Sequence, residues 1–155
     1  MYSFRKSKKG FTLIELMVVV AIIGVLALLG LRLYTGQQLK AKNAIVKANA
    51  GTIQTLIQAE LADSSLSDVW ADVETDGDTG LFGRSGIHNP LGGAQTANAA
   101  TATNTAPTAS TSNAGQVYVI LDSATVANAT YFKINGITAD GLSNMLYDNN
   151  LTARP

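Results

Sequence analysis

Residues 11–31 read FTLIELMVVVAIIGVLALLGL, 21 residues with a single charge, Glu15. At about 1.5 Å per residue this run spans roughly 30 Å as a helix, the thickness of a bilayer's hydrocarbon core. Fourteen of its residues are Phe, Leu, Ile or Val. At roughly −0.3 to −0.6 kcal/mol each they contribute about −6 kcal/mol to insertion. An acidic residue near the end of a span costs less than the ~3 kcal/mol of a central aspartate. Insertion therefore wins despite Glu15. An ordinary secretory signal places small residues after its apolar core. Here the core continues into LRLYTGQQLKAK, and the small residue, Gly10, stands before it. A cut after Gly10 leaves the apolar segment on the product as its new N-terminus, which makes sense only if that segment has a lasting role.

The ten residues before the cut carry Arg5, Lys6, Lys8 and Lys9. This tight basic cluster favours a cytoplasmic N-terminus, although Arg32, Lys40, Lys42 and Lys47 follow the span. Removing the leader changes the balance from 11 basic and 11 acidic residues to 7 and 11, or −4. No broad nucleic-acid-binding face is expected from that balance. The chain has no cysteine, so it has no disulfide and no thiolate metal site.

KKGFTLIELMVVVAIIGVLALLG resembles the processing site and N-terminal helix of type IV prepilins and type II secretion pseudopilins. The resemblance covers residues 5 to about 60. It rests on the basic leader, the Gly10–Phe11 junction and Glu15 as fifth residue after the cut. It implies a prepilin peptidase that cleaves after Gly10 and N-methylates Phe11. It further implies that Glu15 pairs with the new amino terminus of a neighbouring subunit. A carboxylate in hydrocarbon needs such a partner, or a proton. The implied partners are further copies in a filament and a pilus assembly platform. The implied locations are the inner membrane for the precursor or stored pool and the extracellular surface for the filament. The implied role is a structural pilus subunit serving adhesion, twitching motility or DNA uptake. The alternative is a pseudopilin of a type II secretion system. Many type IV pilins have a proline twenty-two residues into the mature chain; this sequence has Arg32 there. Gly24 and Gly30 remain as weak helix positions, each costing about 1 kcal/mol relative to alanine.

Helical patterning continues after Leu31, with Leu39, Ala44, Ile45, Ala48, Ile53, Leu56, Ile57 and Leu61 as the apolar stripe. No proline interrupts residues 11–62. Such a helix is about 78 Å long, beyond what a globular domain encloses. Residues 11–31 are thus expected in the membrane or filament core, and residues 32–62 packed on a head formed by residues 63–155. The expected fold class is α+β: the type IV pilin fold, a long N-terminal α-helix on a C-terminal antiparallel β-sheet.

Within the head, residues 63–115 read as a connecting region and residues 116–148 as the sheet. Ser67 is expected to cap a short helix that carries Trp70, a core anchor. Asp72, Glu74, Asp76 and Asp78 resemble the opening of an EF-hand loop, but its closing glutamate would fall at Gly83. A solvated acidic turn is the plainer reading and a calcium site the sharper one; no other cofactor is expected. His88 lies alone in a turn-rich segment and reads as structural or solvated. Residues 94–115 hold eight Ala, six Thr and two Ser without a charge, and read as an exposed loop open to O-glycosylation. Residues 116–122 and 131–137 have strand composition, with 143–148 as a third candidate. A single-pass anchored enzyme lacks support: there is one histidine, no nucleophile elbow and no phosphate loop. A monomeric anchored binding module is the remaining alternative to a filament.

Overall fold

The computed structural model describes residues 10–75, 80–92, 100–103, 105, 108, 112–123, 125–141 and 144–152, with residues 126 and 144–152 in backbone alone. The chain divides into two units, Met1–Gln38 and Leu39–Pro155. One helix, α1, runs through Leu13–Glu60, 48 residues without a proline.

In the second unit α1 buries Val46, Asn49, Ala50, Ile53 and Ile57, one face at helical spacing. This corrects the expected stripe at its start. Ala44, Ile45 and Ala48 are exposed, Ile45 by 45%, and Leu39 is half-buried. The buried face is rotated toward Asn49, a polar residue that apolar periodicity passes over. Its Nδ2 donates to the His88 carbonyl at 2.8 Å, which removes the cost of hiding an amide. Another asparagine, Asn43, accepts the Ala139 N–H at 2.8 Å.

A turn after α1 leads to α2, Leu66–Glu74, capped by Ser65 rather than Ser67. The Ser65 hydroxyl donates to the Asp68 carboxylate at 2.6 Å and its oxygen accepts from the Asp68 N–H at 3.3 Å. That reciprocal arrangement ties the cap to an acid three residues on. The buried face of α2 holds Val69, Trp70 and Val73, and Trp70 stacks on Phe132 with ring centroids 6.0 Å apart. A short α3, Leu81–Arg84, follows, with Leu81 and Phe82 buried. Arg84 reaches back to Glu60 and Asp72 at once, joining the end of α1 to α2.

The sheet has four strands in the order β1 (Ala100–Thr103), β2 (Val117–Leu121), β3 (Tyr131–Ile137) and β4 (Asn144–Thr152). The pairs β2–β3 and β3–β4 are antiparallel, as expected, with Val119 opposite Ile134 and Leu121 opposite Phe132. The first strand differs from expectation: β1 lies within the low-complexity stretch and pairs parallel to β2, so the sheet is mixed. Ala100 is buried against the core with Ala102 packed beside it, and two small side chains suffice for a short edge strand. Val117, Val119, Leu121, Phe132 and Ile134 face the helices in one core, while Tyr118, Ile120 and Ile137 form a second cluster. Strand β2 is therefore buried along its whole length. Burial pushes the Tyr118 phenol up, and its hydroxyl donates to Gln116 Oε1 at 2.6 Å.

Two further contacts fix the loops. Gly115 has φ +76°, and a Cβ there would come 2.5 Å from Asn89 Oδ1. Asn89 itself donates to the Ala114 carbonyl and accepts the Leu91 N–H. In the β2–β3 connection, Thr130 donates to the Asp122 carboxylate through both its N–H and its hydroxyl. The Thr130 hydroxyl beside it holds the Asp122 carboxyl below its ordinary range, and the Thr130 and Tyr131 N–H groups add to this. A depressed carboxylate contributes stability above its ordinary pKa and loses it as pH falls through the lowered value.

Two outcomes follow for the full chain in detergent micelles. Ile53→Ala should cost about 2–5 kcal/mol in chemical denaturation, whereas Ile45→Ala should stay within about 0.5 kcal/mol. In acid, the amide protection factors of Thr130 and Tyr131 should fall in the wild type. In Asp122→Asn they should be lower at neutral pH and no longer follow that titration.

Candidate functional site

The apolar half of α1 is exposed along its length. Every large apolar residue from Phe11 to Tyr34 lies at the surface, Phe11 by 85%. An 18-residue window reaches a mean hydropathy of 2.8 with none of it buried, long and apolar enough by length and composition to cross a membrane. Exposed apolar patches on single soluble chains rarely exceed a few hundred Å². A helix apolar on all sides has no inside face to give to its own domain. Such a surface is compatible with a surrounding of lipid or of other chains.

Gly10 is exposed just before the helix, and a Cβ built on it meets no atom within 4 Å. Both Gly10 and Phe11 are exposed among the described residues. Two residues further, Thr12 stands immediately before α1 as its cap. Its N–H donates to Glu15 Oε2 at 2.8 Å and its hydroxyl donates to the same oxygen at 2.7 Å. The Glu15 N–H in turn points to Thr12 Oγ1 at 3.4 Å. This is a capping box: the cap residue and the third helical residue satisfy each other's backbone donors. Composition and hydropathy give Thr12 no weight, yet the T-x-x-E spacing at the head of an apolar run carries the signal. Phe11, Ile14, Glu15, Val18 and Val19 line a shallow apolar depression on this first stretch.

The arrangement has a chemical consequence. Helix N-termini expose donors, and hydrocarbon offers them no acceptor. Glu15 satisfies the Thr12 N–H, and Thr12 fixes one carboxylate oxygen. Among the described residues no hydrogen bond engages Oε1 and no cation lies within ion-pair distance of Glu15. A positive group arriving at this end therefore meets a carboxylate that is already oriented.

The acidic candidates behave differently. Asp72 is engaged by Arg84, and Glu74 is exposed at the end of α2. Asp76 and Asp78 lie outside the described residues. Among the described residues no three His, Cys, Asp or Glu side chains gather as a metal group. His88 is exposed between buried Ile87 and Asn89.

Residues 5–31 match the prokaryotic N-terminal methylation motif. The chain is 44% identical over 62 residues to the fimbrial protein EcpB of Eikenella corrodens, covering 40% of this chain and 39% of the relative. It is 41% identical over 61 residues to a type IV major fimbrial protein FimA of Dichelobacter nodosus, covering 39% and 38%. A second FimA of that organism is 43% identical over 56 residues, covering 36% of each chain. The matched length is thus about two fifths of these relatives, all of them fimbrial proteins by name. No solved structure matches the chain significantly.

The cap can be tested directly. Thr12→Ala should weaken the start of α1 by about 0.5–2 kcal/mol, read as faster amide exchange at residues 13–15 in micelles. Thr12→Ser should retain the protection.

Proposed function

We propose that this chain, whose N-terminal segment is that of the type IV pilin family, is a structural subunit of a type IV pilus. The observation that carries the reading is the fully exposed apolar half of α1 behind an accessible Gly10–Phe11 bond. The precursor sits in the inner membrane with residues 11–31 in the bilayer. Prepilin peptidase cleaves after Gly10 and methylates Phe11. An assembly platform then moves the subunit from lipid into a surface filament, where helices of other copies replace the lipid around residues 11–31. The exchange is nearly neutral for apolar surface, because lipid tails and packed side chains are similar surroundings.

Glu15 gives that exchange a direction. Cleavage creates a positive amino terminus on Phe11, and a neighbouring copy's Glu15 offers a carboxylate with one oxygen already held by Thr12. A charge pair formed in an apolar interior is far stronger than one in water, and removing one partner leaves the other uncompensated. Adhesion, twitching motility and DNA uptake are all compatible with such a filament.

Mass spectrometry of filaments sheared from cells tests the reading. The expected subunit begins at Phe11 and carries one N-terminal methyl group. A subunit retaining residues 1–10, or one lacking residues 11–31, would overturn it. Glu15→Ala should lower filament yield by at least about tenfold while leaving the membrane pool intact.

A further inference from the structure

We propose that Lys40 and Lys47, on the exposed face of α1, dock against the acidic end of a second copy of this chain, at Asp63, Asp68 and Glu74. The inference rests on the filament reading above and adds the surface that sets the stagger between subunits.

The charges of this chain are segregated. Residues 16–59 contain Arg32, Lys40, Lys42 and Lys47 and no acid. Residues 60–83 contain seven acids and no base. Among the described residues of the second unit most of these groups belong to no ion pair. The ion pairs among the described residues are those of Arg84 with Glu60 and Asp72. Lys40, Lys47, Asp63, Asp68 and Glu74 are exposed and belong to no ion pair among those residues.

Lys40 and Lys47 are seven residues apart, two turns of helix, and so share one face. Ala44 and Ala48 are exposed near them, and a Cβ built on Gly51 meets nothing within 4 Å. A neighbour can therefore approach this surface closely. The acidic group starts with Glu60 at the end of the same helix and continues through Asp63 in the turn to Asp68 and Glu74 on α2. Glu60 is about 20 Å along the axis from Lys47, and Arg84 holds Asp72 beside it. That distance exceeds the ~8 Å over which exposed charges act at physiological salt. The two lysines are not neutralised by the acidic end of their own α1.

Two copies side by side without a shift oppose like with like, which disfavours that register. A parallel copy displaced along the axis by roughly 20 Å brings Lys47 level with the end of α1, where the acidic residues begin. The same charges thus reject one register and favour another. Anionic lipid is the competing occupant of a basic helix face, and it predicts different behaviour.

The chain has no cysteine, so introduced pairs report cleanly. In cells assembling the full-length chain, filaments are sheared and quantified. Lys40→Glu/Lys47→Glu should lower filament yield at least about tenfold. Adding Asp63→Lys/Asp68→Lys to that variant should restore it. Lys47→Cys/Asp63→Cys should form intermolecular disulfides in assembled filaments and not in the membrane pool. Wild-type yield from the reversed variant, failure of the charge swap to restore assembly, or absence of the disulfide in intact filaments would each overturn the docking surface while leaving the filament reading standing. Loss of membrane retention by the reversed variant with normal filaments would assign the lysines to lipid and also overturn it. If the wild-type chain forms no filament, the filament reading itself fails and this surface falls with it.

Discussion

The exposed apolar half of α1 is the constraint on which everything else depends. A soluble domain hides such residues against itself, and this chain does not. The surrounding features follow from that single demand. A basic segment precedes the apolar run, a glycine stands just before it, and an acid near its beginning is held by the helix's own cap. The core of the second unit closes around the second half of the helix.

The capping box changes how Glu15 is understood. A glutamate in an apolar helix reads first as an intersubunit charge partner or as a side chain reaching for the interface. Its geometry shows a local duty as well, completing the first turn with Thr12. Thr12 engages Oε2 alone, so the pairing proposed for assembly has the other oxygen to use. Local satisfaction lowers the cost of holding the carboxylate in hydrocarbon, because one oxygen and one backbone donor are already paired. The remaining negative charge still needs a cation, and in an apolar assembly that need is strong.

Much of the fold was legible in the sequence. The apolar run and absence of proline foretold one long helix. Strand composition placed β2 and β3 well, and β4 runs longer than the third candidate at residues 143–148. The failures share a cause: they concern residues whose placement depends on partners distant in sequence. Asn49 and Asn43 are polar, yet they fasten α1 to the loops around His88 and Ala139 through backbone hydrogen bonds. Strand β1 is built from Ala and Thr and exists because β2 offers it an edge. Gly115 looks like any loop glycine until Asn89 is seen where its Cβ would stand. Thr12 is the exception, since its spacing from Glu15 was visible and went unweighted.

The central claim is that residues 11–31 stay on the mature protein and are shielded, first by lipid and then by copies of themselves. Labelling of Val19→Cys in the otherwise cysteine-free chain tests it most directly. With a membrane-impermeant maleimide applied to intact membranes and to sheared filaments, the thiol should remain unmodified in both, and react only after detergent dissociates the subunits. Rapid modification in intact filaments, or recovery of the mature protein without residue 19, would contradict the account.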